Sequence, residues 1–115
     1  MKVFISQPMR GLTDEEIKVN REKAENLIRL KYNDDVEFID SLIKEDAPKD
    51  SNPGAYFLGR SIQLMSLADV VVFLPGYDKA RGCIAEYNIA MDYEFDIVKI
   101  VGDYEGIIEC KYIKL

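Results

Sequence analysis

Two rhythms of apolar and polar positions alternate along the chain. Lys2 to Ser6 is a short β-branched and aromatic run, closed by the turn Gln7-Pro8-Met9-Arg10-Gly11, and it predicts a first strand. The rhythm then becomes helical. Ile17, Ala24, Leu27 and Ile28 mark one face, while Arg21, Glu25 and Arg29 follow one another at i,i+4 on the other. Thr13 with Glu16 three residues on makes a capping box, and Leu12 and Ile17 stand at the staple positions around it, so a helix is predicted over about 13–31.

Val36 to Ile39 predicts a second strand. Residues 44–55 are polar and carry two prolines, which predicts a loop long enough to act as a lid. A helix follows over about 56–67, with Phe57, Ile62, Leu64, Met65 and Leu67 as its apolar positions. Asp69-Val70-Val71-Val72-Phe73-Leu74 is a continuous apolar run of strand length, the pattern of a strand covered on both faces. Pro75 to Lys79 reads as a loop, about 81–95 as a helix, and Ile97 to Val101 as a fourth strand. The tail from Ile107 to Leu115 fits an edge strand or irregular chain equally well.

Strands alternating with helices around a buried central strand predict a parallel sheet flanked by helices. Right-handed crossovers give the strand order 2-1-3-4, with the tail as an optional fifth. Ligands of such sheets bind beyond the carboxyl ends of the strands, where the order reverses. That switch point falls between strands 1 and 3, so the candidate site is Ser6–Gly11 together with Pro75–Glu86.

Composition narrows the chemistry. The chain has 115 residues, 48% hydrophobic and 31% charged, which fits one globular domain. Acidic residues outnumber basic ones 21 to 15, and the net charge of −6 disfavours duplex nucleic acid and anionic membrane as partners. The run Met1–Ile5 is too short and too soon broken to read as a leader peptide, no apolar run reaches membrane length, and Cys83 and Cys110 make no disulfide framework or metal spacing, so a reducing cytoplasm is expected. There is no histidine, which removes Ser-His-Asp and Cys-His catalysis and most zinc sites. The seven glycines form neither a dinucleotide nor a P-loop fingerprint. No metal or organic cofactor is implied.

The predicted crevice holds Gly76 and the segment Arg81-Gly82-Cys83-Ile84-Ala85-Glu86. A glycine-containing loop entering a helix offers free N–H groups and a positive dipole end to an anion, and Arg10, Lys79 and Arg81 add positive charge there. Glu86 has Gly82, Cys83, Ile89 and Ala90 as helical neighbours, and none is a cation. Such a carboxylate is either an unpaired surface residue or a working group. The helix dipole favours its ionised form, as a nucleophile requires. Cys83 reads as an activated thiol or, better, a buried one; Asp78 as a turn residue or a site residue. Asp69 should lie at the opposite end of the sheet. Tyr56, Tyr77 and Tyr87 fit base stacking or ordinary packing, and Tyr87, Tyr93, Tyr104 and Tyr112 fit a homodimer interface or the core.

Three segments carry a resemblance: Phe4-Ile5-Ser6-Gln7-Pro8-Met9-Arg10-Gly11, then Ala68-Asp69-Val70-Val71-Val72, then Arg81-Gly82 followed by Glu86 and Ala90. In this order and spacing they resemble the nucleoside 2-deoxyribosyltransferase superfamily, in a branch of short bacterial and phage proteins. The resemblance implies a flavodoxin-like, Rossmann-like three-layer α/β sandwich that often forms homodimers. It implies cleavage or transfer at the N-glycosidic bond of a nucleoside or nucleoside 5′-monophosphate, with Glu86 as nucleophile. The substrate would be bound by Ser6, Gln7, Pro8, Met9, Arg10 and Gly11, with Gly76, Arg81 and Gly82 across the crevice.

The sequence departs from that pattern in four places. Phe4 stands where active members carry a tyrosine that hydrogen-bonds the nucleophile, and Ser61 where they carry an aspartate. Ala80 replaces a serine and Gln7 a glycine. Ser61, Gln7 and Asp78 are the candidates to supply the missing polar help. General acid–base assistance is worth about 10²- to 10⁴-fold, so these losses leave two further readings open: a nucleotide-binding module without turnover, and an interaction protein with a vestigial crevice.

Overall fold

The computed structural model describes residues 1–110. In chain order the elements are β1 (Lys2–Ser6), α1 (Asp14–Lys31), β2 (Glu37–Phe38), α2 (Pro53–Met65), β3 (Val70–Phe73), α3 (Arg81–Asp92), β4 (Asp96–Val101) and β5 (Gly106–Cys110), with a 3-10 turn at Tyr77–Lys79 before α3. They form a flavodoxin-like α/β sandwich around one sheet of order β2-β1-β3-β4-β5. The first four strands are parallel, and β5 is antiparallel to β4. The hairpin follows from chain length. Only the turn Gly102–Glu105 separates β4 from β5, and a parallel return needs a dozen residues or more. Residues 111–115, the rest of the ambiguous tail with Tyr112, lie outside the described residues.

α1 covers one face of the sheet, burying Ala24 and Ile28 against Val3, Ile5, Val70, Val72, Leu74, Val98 and Ile100. α2 and α3 cover the other through Met65 and Ala90, packed on Phe4, Val71, Phe73 and Ile97. All four residues of β3 are buried, as its unbroken apolar run predicts. Each fully buried aliphatic or aromatic side chain contributes roughly 1.5–3 kcal/mol, which makes this strand the anchor of both layers.

α1 begins as the capping box predicts. Thr13 Oγ1 accepts from Glu16 N at 3.1 Å, and Glu16 Oε1 accepts from Thr13 N at 3.1 Å. Thr13→Ala is expected to cost about 1 kcal/mol in urea denaturation, because it orphans the Glu16 N–H in the first turn. Arg21, Glu25 and Arg29 form the expected i,i+4 ion pairs. At the far end Lys31 pairs with Glu109 at 2.7 Å, and Tyr32 donates to the same carboxylate at 3.3 Å, tying α1 to β5.

Two helix boundaries differ from the sequence reading. α2 starts at Pro53 rather than near 56, because Asn52 caps it (Oδ1 accepts from Ala55 N at 3.1 Å) and Pro53 fills the first helical position. The loop over residues 44–55 is shortened accordingly. α3 stops at Asp92 rather than near 95. Glu94 takes a positive φ of 66°, and Phe95 N and Glu94 N donate back to Ala90 O and Met91 O, which closes the helix without a glycine. Of the late tyrosines, Tyr87 packs on Phe73 and Tyr77, Tyr104 packs against the α1-side core, and Tyr93 is exposed.

Candidate functional site

β1 and β3 lie side by side with Ser6 opposite Phe73, and Leu74 N donates to Ser6 O at 3.1 Å. Both chains leave the sheet at this level. Their loops meet again where Pro8 approaches Gly76, whose φ of 88° turns the chain toward α3.

On α3, Cys83, Glu86 and Ala90 are the buried positions, an i, i+3, i+7 stripe facing the sheet. Glu86 therefore occupies a core position, which rules out the surface reading: it is only 7% exposed. Ser6 Oγ donates to Glu86 Oε1 at 3.0 Å from the end of β1. Burial pushes the Glu86 carboxyl up to about 7, and the Ser6 hydrogen bond opposes that rise without cancelling it. The sequence reading, in which the helix dipole holds this carboxyl ionised, is corrected here: desolvation is the larger effect. Cys83 is buried beside it with its thiol pushed up, again by desolvation, so it is an inert core thiol and not an activated one.

Glu86 lies where two cavities meet. The larger, about 820 Å³, runs between Gln7–Arg10, the first turn of α2 and the segment Lys79–Cys83. It is basic: Arg10, Lys79 and Arg81 line it. The N-terminus of α3 opens into it without a side-chain cap, because Ala80 stands at the N-cap position. Nothing stands within 4 Å of where a Gly82 side chain would begin, so that turn presents bare backbone. Gly54, on the opposite wall, leaves room for the Arg81 guanidinium, which would be 3.2 Å from a Cβ there.

The second cavity, about 610 Å³, lies toward α1 and the segment after β2. Phe4, Ile17, Phe38, Leu42, Ile43 and Phe57 make it mainly apolar, and Arg21, Glu25, Asp40 and Ser41 add polar side chains beside Ser6, Gln7, Ser61 and Glu86. Arg21 braces this wall by donating to Ser41 Oγ at 3.3 Å and Ile39 O at 3.4 Å. Gln7, Met9, Phe57, Ser61 and Glu86 border both cavities. The loop after β2 is held to α2 through Glu45, which accepts from Tyr56 at 2.7 Å and pairs with Arg60 at 2.6 Å.

The fold thus brings most of the expected residues together: Gln7, Pro8, Met9, Arg10, Ser61, Gly76, Arg81, Gly82 and Glu86 border the larger cavity, and Ser6 lines the second. Gly11 and Asp78 line neither. Asp78 sits exposed in the 3-10 turn, and Gly11 serves the turn itself with a φ of 83°. Gln7 Nε2 is committed to Ile17 O at 2.6 Å. Phe4 is core. Asp69 accepts from Lys2 N at 2.7 Å, at the opposite end of the sheet as expected. The sequence reading missed the α2 wall (Asn52, Gly54, Ala55) and the second cavity. The Asn52-Pro53 pair was the available signal for the first.

Among the described residues no three potential ligands gather as a metal site, and no helix is long and apolar enough to cross a membrane. None of the curated proteins and none of the solved structures matches the chain. A family model does: Domain of unknown function (DUF4406) matches residues 1–99, a stretch that holds the whole site from β1 through α3, and the chain belongs to that family.

Proposed function

We propose that the protein is an N-glycosidase or deoxyribosyltransferase of nucleoside 5′-monophosphates or nucleosides, with Glu86 as nucleophile. One observation carries this reading: a buried carboxylate stands at the junction of a basic cavity and a mainly apolar one. A substrate with an anionic end, a sugar and a planar base fits that sequence of environments, with its glycosidic carbon over Glu86.

In this account the 5′-phosphate lies against Arg10, Arg81 and the open N–H groups at the start of α3. The base enters the apolar cavity. A Glu86 carboxylate oxygen attacks C1′, the C1′–N bond breaks, and its electron pair leaves with the base, which takes a proton from water. Water, or a second base, then attacks C1′ of the glycosyl ester, releases the sugar and returns the Glu86 carboxylate, losing a proton to solvent. Ser61, which borders both cavities, is placed to hydrogen-bond the sugar or the departing base. With its carboxyl raised to about 7, Glu86 costs little to deprotonate at pH 7.

The test is release of free base from ribo- and deoxyribonucleosides and their 5′-monophosphates. Arg81→Ala is expected to raise KM for monophosphates by about 10-fold or more, in line with a lost charged hydrogen bond, and to leave unphosphorylated nucleosides almost unaffected. A second reading is a binding module without turnover. It is favoured by the single hydrogen bond that Glu86 receives and by the exposed, remote Asp78, which leaves no acid at the junction. It predicts ligand-induced thermal stabilisation with no base released.

A further inference from the structure

Ser6 and Glu86 are the only buried polar or charged side chains among the described residues, and they bond to each other. Ser6 is 1% exposed and ends β1, opposite Phe73 of β3. It donates to Oε1 only. No buried side-chain oxygen among the described residues lacks a partner, so Oε2, which receives no hydrogen bond, reaches the open cleft. A glutamate has three side-chain torsions, and an untethered one samples several rotamers.

We infer that Ser6 is the positioning residue of Glu86: its hydroxyl holds Oε1 and thereby presents Oε2 to the substrate carbon. The catalytic meaning of this inference rests on the proposed function, whereas the tether itself rests on the geometry. Ser6 touches no reacting atom. It acts by holding the carboxylate in one orientation and by favouring its charged form, since a donor stabilises the anion more than the acid. Met9, Phe57 and Ser61 border the same junction and offer no charge in its place.

The titratable group nearest to the pair is Cys83, one turn earlier on α3, which faces the same Ser6 hydroxyl. Farther off, the basic cavity contributes Arg10, Lys79 and Arg81, and the apolar one Arg21, Glu25 and Asp40. None of these hydrogen-bonds Glu86; Cys83 loses its own contact with the Ser6 hydroxyl when Ser6 is replaced, while the charged side chains lining the two cavities are left in place. The difference between two titrations therefore reports the tether.

The experiment is carbon-13 NMR titration of the glutamate side-chain carboxyls in wild type, Ser6→Ala and Ser6→Thr, with the Glu86 signal assigned by its loss in Glu86→Gln. Wild type should titrate near 7. Ser6→Ala should move that midpoint upward by about one to two units, the equivalent of one charged hydrogen bond, and Ser6→Thr should restore it. In base-release assays Ser6→Ala should lower kcat about 10- to 100-fold with KM nearly unchanged, and its rate should rise with pH only at the higher midpoint. A folded Ser6→Ala protein whose Glu86 midpoint equals that of wild type overturns the inference, whatever the activity. If Ser6→Ala does not fold, the near-isosteric weak donor Ser6→Cys takes its place under the same criterion. A shifted midpoint in Ser6→Ala, with wild type itself releasing no base, upholds the tether and defeats the proposed function instead.

Discussion

Glu86→Gln should make the protein more stable, by about 3 kcal/mol at pH 8, while wild type and variant should be equal near pH 4. The folded carboxyl is raised from an ordinary 4.5 to about 7, mainly by desolvation. Between these values the native state binds more protons than the unfolded chain, so stability falls as pH rises through that window and is level above it. At 1.36 kcal/mol per unit the shift amounts to the stated 3 kcal/mol. Glutamine keeps the shape and still accepts from Ser6, but it carries no charge to bury. Thermal denaturation should show midpoints within a degree or two at pH 4 and separated by on the order of 10 °C at pH 8. Equal midpoints at both pH values would mean that Glu86 is better solvated than its burial indicates.

The same substitution should remove activity. Loss of a nucleophile commonly costs 10³-fold or more, and a glutamine at this position could neither form the glycosyl ester nor be regenerated. In wild type the rate should rise with pH through about 7, as Glu86 ionises. Ligand should still bind to the variant, because Arg10, Arg81 and the start of α3 are untouched. Opposite signs for stability and activity at one residue are the mark of a group kept for function at the expense of the fold. Undiminished base release from Glu86→Gln would assign the chemistry elsewhere.

Local signals made much of the scaffold legible. Thr13 with Glu16 fixed the start of α1, the Val70–Phe73 run identified the central strand, and the alternation of elements set the order of the sheet. Glu86 was legible as a candidate, because its helical neighbours include no cation. Its depth was left open between a surface residue and a working group, and the buried stripe it shares with Cys83 and Ala90 is seen only in the folded chain. Its charge state was not legible either. A dipole can be read from position in a helix, but desolvation depends on which face of α3 packs against the sheet. The antiparallel direction of β5 was implicit in the short Gly102–Glu105 turn.

The second cavity was hidden for a different reason. Its walls come from β1, α1, the loop after β2, and α2, segments far apart in sequence that meet only in the folded chain. The departures at Phe4 and Ser61 also change meaning in three dimensions. Phe4 is core, and the hydroxyl that reaches Glu86 comes from Ser6, two residues further along the same face of β1. Ser61 remains at the junction with a hydroxyl in place of a carboxyl.

The stereochemistry of cleavage tests the role of Glu86 most directly. With methanol added as acceptor, proton NMR distinguishes the two anomers of the methyl glycoside product. Two displacements through a Glu86 ester should give the methyl glycoside with the configuration of the substrate retained. An inverted product would mean a single displacement with Glu86 acting as a base, and would contradict the account.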